Sequence, residues 1–190
     1  MVRRRDRVAA ALLVGGASAR FGSPKALATF EGETLAERGH RVLVEAFDRV
    51  VVVGKAADAL PLPFAVEDDE SEVRAAIVGV AAALRLAGRE VVVVLPTDMP
   101  LVTADLLGSL AEAADDADAA VPQTGPLPGA YRRTALPLLE RRIESGDLAL
   151  HRALAGLDTR VVQCDERLLS NVNEPADLAA GDAEGRRTRP

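Results

Sequence analysis

Short apolar runs alternate with amphipathic stretches along most of the chain. The first three runs, 8–14, 50–53 and 91–95, are apolar at consecutive positions rather than at every second position. Strands of this kind are buried on both faces, as in a parallel sheet that helices cover on each side. The helices predicted around them cover 35–46, 73–86 and 103–114. The pattern predicts an α/β fold of three layers, Rossmann-like, with a mostly parallel sheet flanked by helices.

The second half of the chain continues the pattern with weaker signals. The predicted strands there cover 119–122, 130–132 and 160–163, and the predicted helices cover 136–144 and 148–155. The chain has 190 residues, of which 48% are hydrophobic, which is enough for one well-formed core. We therefore expect one domain over residues 1–180. The small, polar residues of 181–190 are expected to form a flexible tail.

Candidate chemistry follows the predicted strands, because ligands of an open parallel sheet collect outside the carboxyl ends of its strands. The first strand leads into a loop with Gly15, Gly16 and Gly22, followed by Lys25, one of only two lysines in the chain. Glycines let a backbone approach a phosphate chain closely, and cations such as Arg20 neutralise it. The spacing fits neither a P-loop nor a dinucleotide fingerprint. The loop nevertheless indicates phosphate binding.

A lone carboxylate, Asp98, follows the third apolar run and lies between Pro96 and Pro100. Mg²⁺ is usually held by one or two carboxylates together with phosphate oxygens and water, so Asp98 is a candidate metal ligand. A cap on a helix beginning near Met99, or a fixed turn, would explain the same residue equally well. The sequence leaves both interpretations open.

Charge and cysteine content restrict the functional classes. A formal net charge of -6 argues against a nucleic-acid-binding surface, which usually needs a basic face. The apolar runs are far shorter than the roughly 20 residues of a membrane span, so we expect no membrane partner. The single cysteine, Cys164, forms no internal disulfide, which favours a reducing cytoplasm.

The amino terminus leaves one alternative. Arginines at 3–5, the first apolar run and the small residues at 17–19 resemble a short secretory signal with a cleavage site. Cleavage after Ala19 would remove the first predicted strand and both early glycines, on which the rest of the pattern depends. We therefore expect this segment to be part of a cytoplasmic domain.

Four segments resemble a known family. Residues 13–27 resemble the L-A-G-G-x-S-x-R-M-G-x-D-K-A-L signature of molybdenum cofactor guanylyltransferases. Residues 95–101 resemble the P-C-D-x-P-x-L turn of that family, and residues 170–178 resemble its N-V-N-T-P-E-D-L segment. Residues 126–132 fit the place where the family covers its acceptor. The resemblance extends over nearly the whole chain, in order.

This resemblance implies a nucleotidyltransferase with a fold like that of the nucleotide-diphospho-sugar transferases. It implies transfer of GMP from GTP to molybdopterin, or to its molybdenum form, with release of pyrophosphate and with Mg²⁺ as the cofactor. The implied partners are these two small molecules, with transient contacts to molybdoenzyme chaperones or other proteins of the cofactor pathway.

The resemblance also assigns roles by position. The implied nucleotide-binding residues are Leu13, Val14, Gly15, Gly16, Lys25, Asp68 and Asp98. The resemblance places Lys25 at the nucleotide phosphates and Asp98 at the metal, and the need to neutralise the triphosphate adds Arg20, so the predicted catalytic residues are Arg20, Lys25 and Asp98. Asn171 and Asn173 are placed near the acceptor, although a helix cap at Asn173 or Glu174 would explain the same segment.

The chain departs from the family pattern at three places. The family's G-P-L-x-G turn is replaced by 75–79, which keeps only its last glycine, Gly79. Lys55 follows Gly54 where an asparagine would contact the nucleotide, and Pro24 replaces an acidic residue. The alternatives are therefore a CTP-dependent molybdopterin cytidylyltransferase, a sugar-phosphate nucleotidyltransferase or a non-catalytic nucleotide-binding module. The glycine pair at 15–16 favours guanine, because a purine needs the space that a Cβ would fill.

Overall fold

The computed structural model describes residues 7–15, 24–172 and Asp177. The strands of this part of the chain are β1 (Val8–Leu13), β2 (Thr29–Phe30), β3 (Glu33–Thr34), β4 (Val50–Gly54), β5 (Glu67–Asp68), β6 (Val91–Pro96), β7 (Ala119–Pro122), β8 (Gly129–Arg132) and β9 (Thr159–Val162). The helices are α1 (Leu35–Ala46), α2 (Ala76–Ala87), α3 (Ala104–Ala113), α4 (Leu136–Glu144) and α5 (Leu150–Leu154). The expected tail at 181–190 lies outside the described residues.

The central sheet has seven strands in the order β5-β4-β1-β6-β8-β7-β9. β8 runs antiparallel to both of its neighbours, β6 and β7, whereas every other pair in the sheet is parallel. Strands β2 and β3 form a separate antiparallel pair. The expected mostly parallel sheet is therefore confirmed, and its parallel strands all end at one edge.

Two helical layers cover the sheet. The cluster on one face joins β1 and β6 to α1 and α3, and the cluster on the other face joins them to α2, α4 and α5. The helices α1 and α2 approach β1 closely through Gly39 and Gly79. A Cβ on Gly39 would lie 2.7 Å from Leu12 Cδ1, and one on Gly79 would lie 3.0 Å from Leu13 Cδ1. Strand β1 is thus buried on both faces, as its unbroken apolar run predicts.

The predicted helix 35–46 is confirmed as α1, and its start has a clear physical cause. Thr34 and Glu37 form a capping box, in which the Thr34 hydroxyl accepts from the Glu37 N–H at 3.1 Å. The carboxylate of Glu37 in turn accepts from the Thr34 N–H at 2.9 Å. Each side chain thereby satisfies a backbone donor that the first turn of a helix leaves unpaired.

Other boundaries differ from the predictions. The helix expected over 73–86 begins at Ala76, because the Val73 carbonyl accepts a hydrogen bond from a lysine side chain instead of a helical N–H. The helix expected over 148–155 is only the five residues of α5. Within the described ranges, no helix is both long enough and apolar enough to cross a bilayer.

Candidate active site

The carboxyl ends of β1, β4 and β6 open into a cleft of about 580 Å³. This volume falls within the range of about 300 to 1,000 Å³ that is typical of small-molecule sites. One wall is formed by residues that follow β4 and lead into α2, and the opposite wall is formed by 124–127 and by Asn171. The predicted site residues that follow separate strands therefore meet at one edge of the sheet.

Lys25 and Asp98 form an ion pair at this edge, with 3.1 Å between Lys25 Nζ and Asp98 Oδ2. Their side chains are 19% and 29% exposed, so both remain accessible from the solvent. The two residues are 73 positions apart in the sequence. The structure thus brings together the predicted phosphate-binding cation and the predicted metal ligand.

Asp98 is placed by the end of β6 and by the chain beyond it. The Thr97 N–H donates to the Leu13 carbonyl at 3.2 Å, which continues the pairing of β6 with β1. The Asp98 carbonyl accepts from the Val172 N–H at 2.8 Å. The helix after this turn begins at Ala104 and is capped by Thr103. The alternative in which Asp98 caps a helix beginning near Met99 is therefore wrong.

Lys25 begins a short 3-10 helix, Lys25–Leu27, directly after Pro24. The Leu27 N–H donates to the Pro24 carbonyl at 3.0 Å, and Ala26 is buried in the core. The Ala28 carbonyl then accepts from the Leu35 N–H at the start of α1, at 2.9 Å. These contacts fix the backbone that carries the Lys25 ammonium.

The end of β1 supplies the floor of the cleft through Leu13 and Gly15. Val14 is buried in the core beneath it, and its N–H donates to the Val53 carbonyl at 2.9 Å. Val14 could therefore make its predicted contact with the nucleotide only through its backbone. The predicted site residues Gly16, Arg20 and Asn173 lie outside the described residues.

Asp68 and Asp69 lie at the end of β5 in different surroundings. Asp68 is exposed, and its Oδ1 accepts from the Glu70 N–H at 3.2 Å rather than lining the cleft. Asp69 is buried, lines the cleft and pairs with Lys55 at 2.8 Å. The structure thus does not bring Asp68 to the other predicted residues, and its guanosine-binding role stays a prediction. Sequence reasoning missed Asp69, although the scarcity of lysine marks out its partner.

The opposite wall of the cleft is the loop 124–127, which a tyrosine of the sheet holds in place. The hydroxyl of Tyr131 in β8 donates to the Pro126 carbonyl at 2.6 Å, and the tyrosine side chain is fully buried. Burial raises the pKa of the Tyr131 phenol, so the hydroxyl remains a donor throughout the physiological range. Gly129 allows this close packing, since a Cβ there would lie 2.6 Å from the Pro126 carbonyl oxygen. With Asn171, this loop forms the side of the cleft predicted to receive the acceptor.

The donor set at the cleft fits one kind of metal binding. Among the residues that the structure describes, no three or more His, Cys, Asp or Glu side chains are grouped so that they could hold a metal ion. Mg²⁺ commonly binds through one or two carboxylates, with substrate phosphates and waters as its other ligands. Asp98 therefore suits a Mg²⁺ ion whose other ligands come from water and from a nucleoside triphosphate.

Comparison with known proteins agrees with this arrangement. The model of the MobA-like NTP transferase domain matches residues 10–164. A probable molybdenum cofactor guanylyltransferase of Opitutus terrae is 36% identical over 186 residues, covering 90% of this chain and 92% of that protein. A molybdenum cofactor guanylyltransferase of Pseudomonas entomophila is 32% identical over 176 residues, covering 86% of this chain and 92% of that protein. The resemblance stated from the motifs is thus confirmed.

Solved structures show the same fold. The molybdopterin-guanine dinucleotide biosynthesis protein A of Archaeoglobus fulgidus superposes with a TM-score of 0.81 at 24% identity, covering 94% of this chain and 99% of that one. A 2-C-methyl-D-erythritol 4-phosphate cytidylyltransferase of Thermus thermophilus superposes with a TM-score of 0.71 at 20% identity, covering 93% and 98%. Fold, ordered motifs and sequence identity agree: the chain is a nucleotidyltransferase and belongs to the family of MobA-like NTP transferase domains.

Proposed function

We propose that this protein transfers GMP from GTP to molybdopterin, or to its molybdenum form, and releases pyrophosphate. The observation that carries the proposal is the Lys25–Asp98 pair, in which Asp98 lines a cleft that also contains Gly15 and the loop 124–127. The relatives named as molybdenum cofactor guanylyltransferases support this choice of donor and acceptor.

The floor of the cleft suits a purine. A Cβ on Gly15 would lie 3.9 Å from the Gly54 Cα, so the backbones of these two residues lie close together there. Because Gly15 has no side chain, the backbone at the end of β1 leaves an open surface on which a large base can lie. This arrangement favours GTP over CTP, because any side chain at Gly15 would take up part of the space for the larger ring.

The reaction is a phosphoryl displacement that needs no covalent nucleophile from the protein. A terminal phosphate oxygen of the acceptor forms a bond to the α-phosphorus of GTP, and the bond from that phosphorus to the bridging oxygen of pyrophosphate breaks. Both partners are anions, so the protein contributes mainly in-line positioning and neutralisation of charge. Lys25 supplies a compact cation beside the phosphates.

Asp98 is the residue that would hold Mg²⁺ with the nucleotide. When bound, the ion supplies further positive charge at the phosphate oxygens. The carboxylate of Asp98 also accepts a hydrogen bond from the Lys25 ammonium at 3.1 Å and so orients it. Asn171 and the loop 124–127 enclose the other side of the cleft, where we place the acceptor.

Calorimetric titration of the protein with GTP, CTP and ATP, each with and without Mg²⁺, tests the donor. We expect GTP to bind most tightly and to require Mg²⁺. Preference for CTP would assign the chain to cytidylyl transfer, and no nucleotide binding would refute the proposal. An assay of pyrophosphate release with molybdopterin, and with a hexose 1-phosphate as the control acceptor, then separates this function from sugar-phosphate nucleotidyl transfer.

The cellular setting belongs to the same proposal. A single free cysteine, half-buried and with its thiol pKa raised by burial, suits a reducing cytoplasm. The product would have to pass to the enzymes that use it, which is the reason to propose transient contacts with molybdoenzyme chaperones. Cross-linking in cells of the source organism, followed by mass spectrometry, would identify such contacts.

A further inference from the structure

Lys55 is a buried lysine whose hydrogen-bonding capacity is fully used. Its Nζ lies 2.8 Å from Asp69 Oδ1 and 2.8 Å from the Val73 carbonyl oxygen, and it also donates to the Ser71 carbonyl. The side chains of Lys55 and Asp69 are each only 8% exposed. An ammonium has three N–H donors, and these three acceptors engage all of them. Lys55 therefore has no donor left for a substrate phosphate.

The segment that Lys55 holds has little else to fix it. None of the residues 70–76, all of which the structure describes, is buried. Its local contacts are short-range polar ones, such as the Ser71 N–H to Asp69 Oδ1 at 3.0 Å and the Val73 N–H to Ser71 Oγ at 3.1 Å. Only Ala75 of the segment packs against the hydrophobic core, and it is partly buried, so the buried ammonium is what links the rest of the segment to the end of β4.

This segment is also a wall of the cleft. Asp69, Arg74, Ala75 and Ala76 all line the cleft, and the segment leads directly into α2. No side chain caps α2 at Ala75, so its first backbone N–H groups depend on where the segment places them. Arg74 also connects the segment to the residues after β4, because its guanidinium pairs with the Asp58 carboxylate at N–O distances of 2.9 and 2.5 Å. This ion pair lies on the surface.

We propose that Lys55 is a positioning residue for the nucleotide side of the cleft. It holds 70–76 against the end of β4 and so sets the position of this wall, without itself contacting the nucleotide. The inference rests on the proposed function, because it assumes that the cleft binds a nucleoside triphosphate. Lys25 and Lys55, the two lysines of the chain, thus have separate tasks: one is accessible beside Asp98, and the other is buried and structural.

Substituting Lys55→Met tests this proposal, because methionine keeps much of the side-chain length but removes all three donors. Asp69→Asn is the second variant, since it keeps an oxygen at the same place and removes the charge. Arg49→Met is the matched control: the Arg49 guanidinium also bonds backbone carbonyls, those of Leu86 and Ala87, but near the amino-terminal end of β4. Circular dichroism establishes whether each variant folds. If Lys55→Met does not fold, Asp69→Asn is the variant that tests the proposal.

Two readouts are needed. Hydrogen-deuterium exchange by mass spectrometry should show faster exchange of the amides of 70–76 in Lys55→Met and Asp69→Asn than in the wild type or Arg49→Met. The KM for GTP should rise about tenfold, equivalent to about 1.4 kcal/mol, while kcat and the KM for the acceptor change less than about twofold. Substituting a residue needed only for general stability would not raise the KM for GTP while leaving kcat and the KM for the acceptor nearly unchanged.

The possible failures are distinguishable. Unchanged exchange in both variants would show that Lys55 does not hold the segment, and the inference would fail. Faster exchange with an unchanged KM for GTP would show that the wall does not position the nucleotide, and this outcome also overturns the inference while leaving the proposed function intact. A wild-type protein that binds no nucleoside triphosphate would overturn both.

Discussion

Replacing Gly15 by alanine tests the placement of the base. A Cβ on Gly15 would lie 3.9 Å from the Gly54 Cα, and no other described atom beyond its chain neighbours would be within 4 Å. Gly15 is not among the glycines with positive φ, so an alanine can adopt its backbone conformation. We therefore expect Gly15→Ala to fold normally, with its methyl group in the cleft.

The expected effects on stability and on binding differ in size. A glycine to alanine change at a compatible site alters the unfolding free energy by less than about 1 kcal/mol, usually favourably. A methyl group that enters the space of a closely fitted base costs about 1 to 3 kcal/mol. Binding of GTP should weaken by about 5-fold to about 150-fold. Binding of CTP should weaken less, because a pyrimidine occupies less of the floor.

Gly54→Ala is the matched control for Gly15→Ala. Its Cβ would lie 2.8 Å from Val14 Cγ2 and 2.9 Å from Val66 Cγ1. This overpacking should destabilise the protein by about 1 to 3 kcal/mol, and each kcal/mol lowers the Tm by roughly 2 to 4 °C in a chain of this size. Calorimetric Kd values and thermal unfolding measure both variants. Unchanged GTP binding in Gly15→Ala, or equal losses for GTP and CTP, would show that the base does not lie against Gly15.

Two further predictions concern charge. Lys25→Met should weaken binding of GTP more than binding of GMP, because its cation serves the phosphates beyond the first, and calorimetry showing equal losses would contradict this placement. Arg7 and Arg132 lower the pKa of Glu90 to about 2 from 4.5. Because the folded-state pKa is depressed, the stabilisation is present above about pH 4.5 and is lost as the pH falls towards 2. The urea midpoint should therefore fall less steeply over this range in Glu90→Gln than in the wild type, and parallel curves would be evidence against the assignment.

The sequence predicts the parts of the fold that depend on burial. The consecutive apolar residues of β1 and β6 indicate strands covered on both faces, and the structure confirms both strands. The same pattern fixes the edge at which the loops collect, so the meeting of Lys25 with Asp98 follows from parallel topology. The predicted helix 35–46 is confirmed because a capping box adds a local signal to the apolar spacing.

The remaining features depend on contacts between distant residues. β5 is only two residues long and polar, so no periodicity marks it, and the charge of the adjacent, buried Asp69 is balanced by the distant Lys55. The late start of α2 has the same origin, since the Val73 carbonyl bonds to Lys55. β8 runs antiparallel to β6, and nothing in its four residues, Gly129–Arg132, indicates this direction.

We propose that GMP transfer takes place at the Lys25–Asp98 edge of the cleft. The most direct measurement is formation of the guanine dinucleotide product from GTP and molybdopterin by the wild type, Asp98→Asn and the control Asp105→Asn. Asp105 is an exposed acid in the first turn of α3, so its substitution removes the same charge outside the cleft. We expect the wild type and the control to form product at similar rates. The rate in Asp98→Asn should be lower by at least about 100-fold, the size of effect seen when a key electrostatic group is removed. Product formation by Asp98→Asn at the wild-type rate would contradict this proposal.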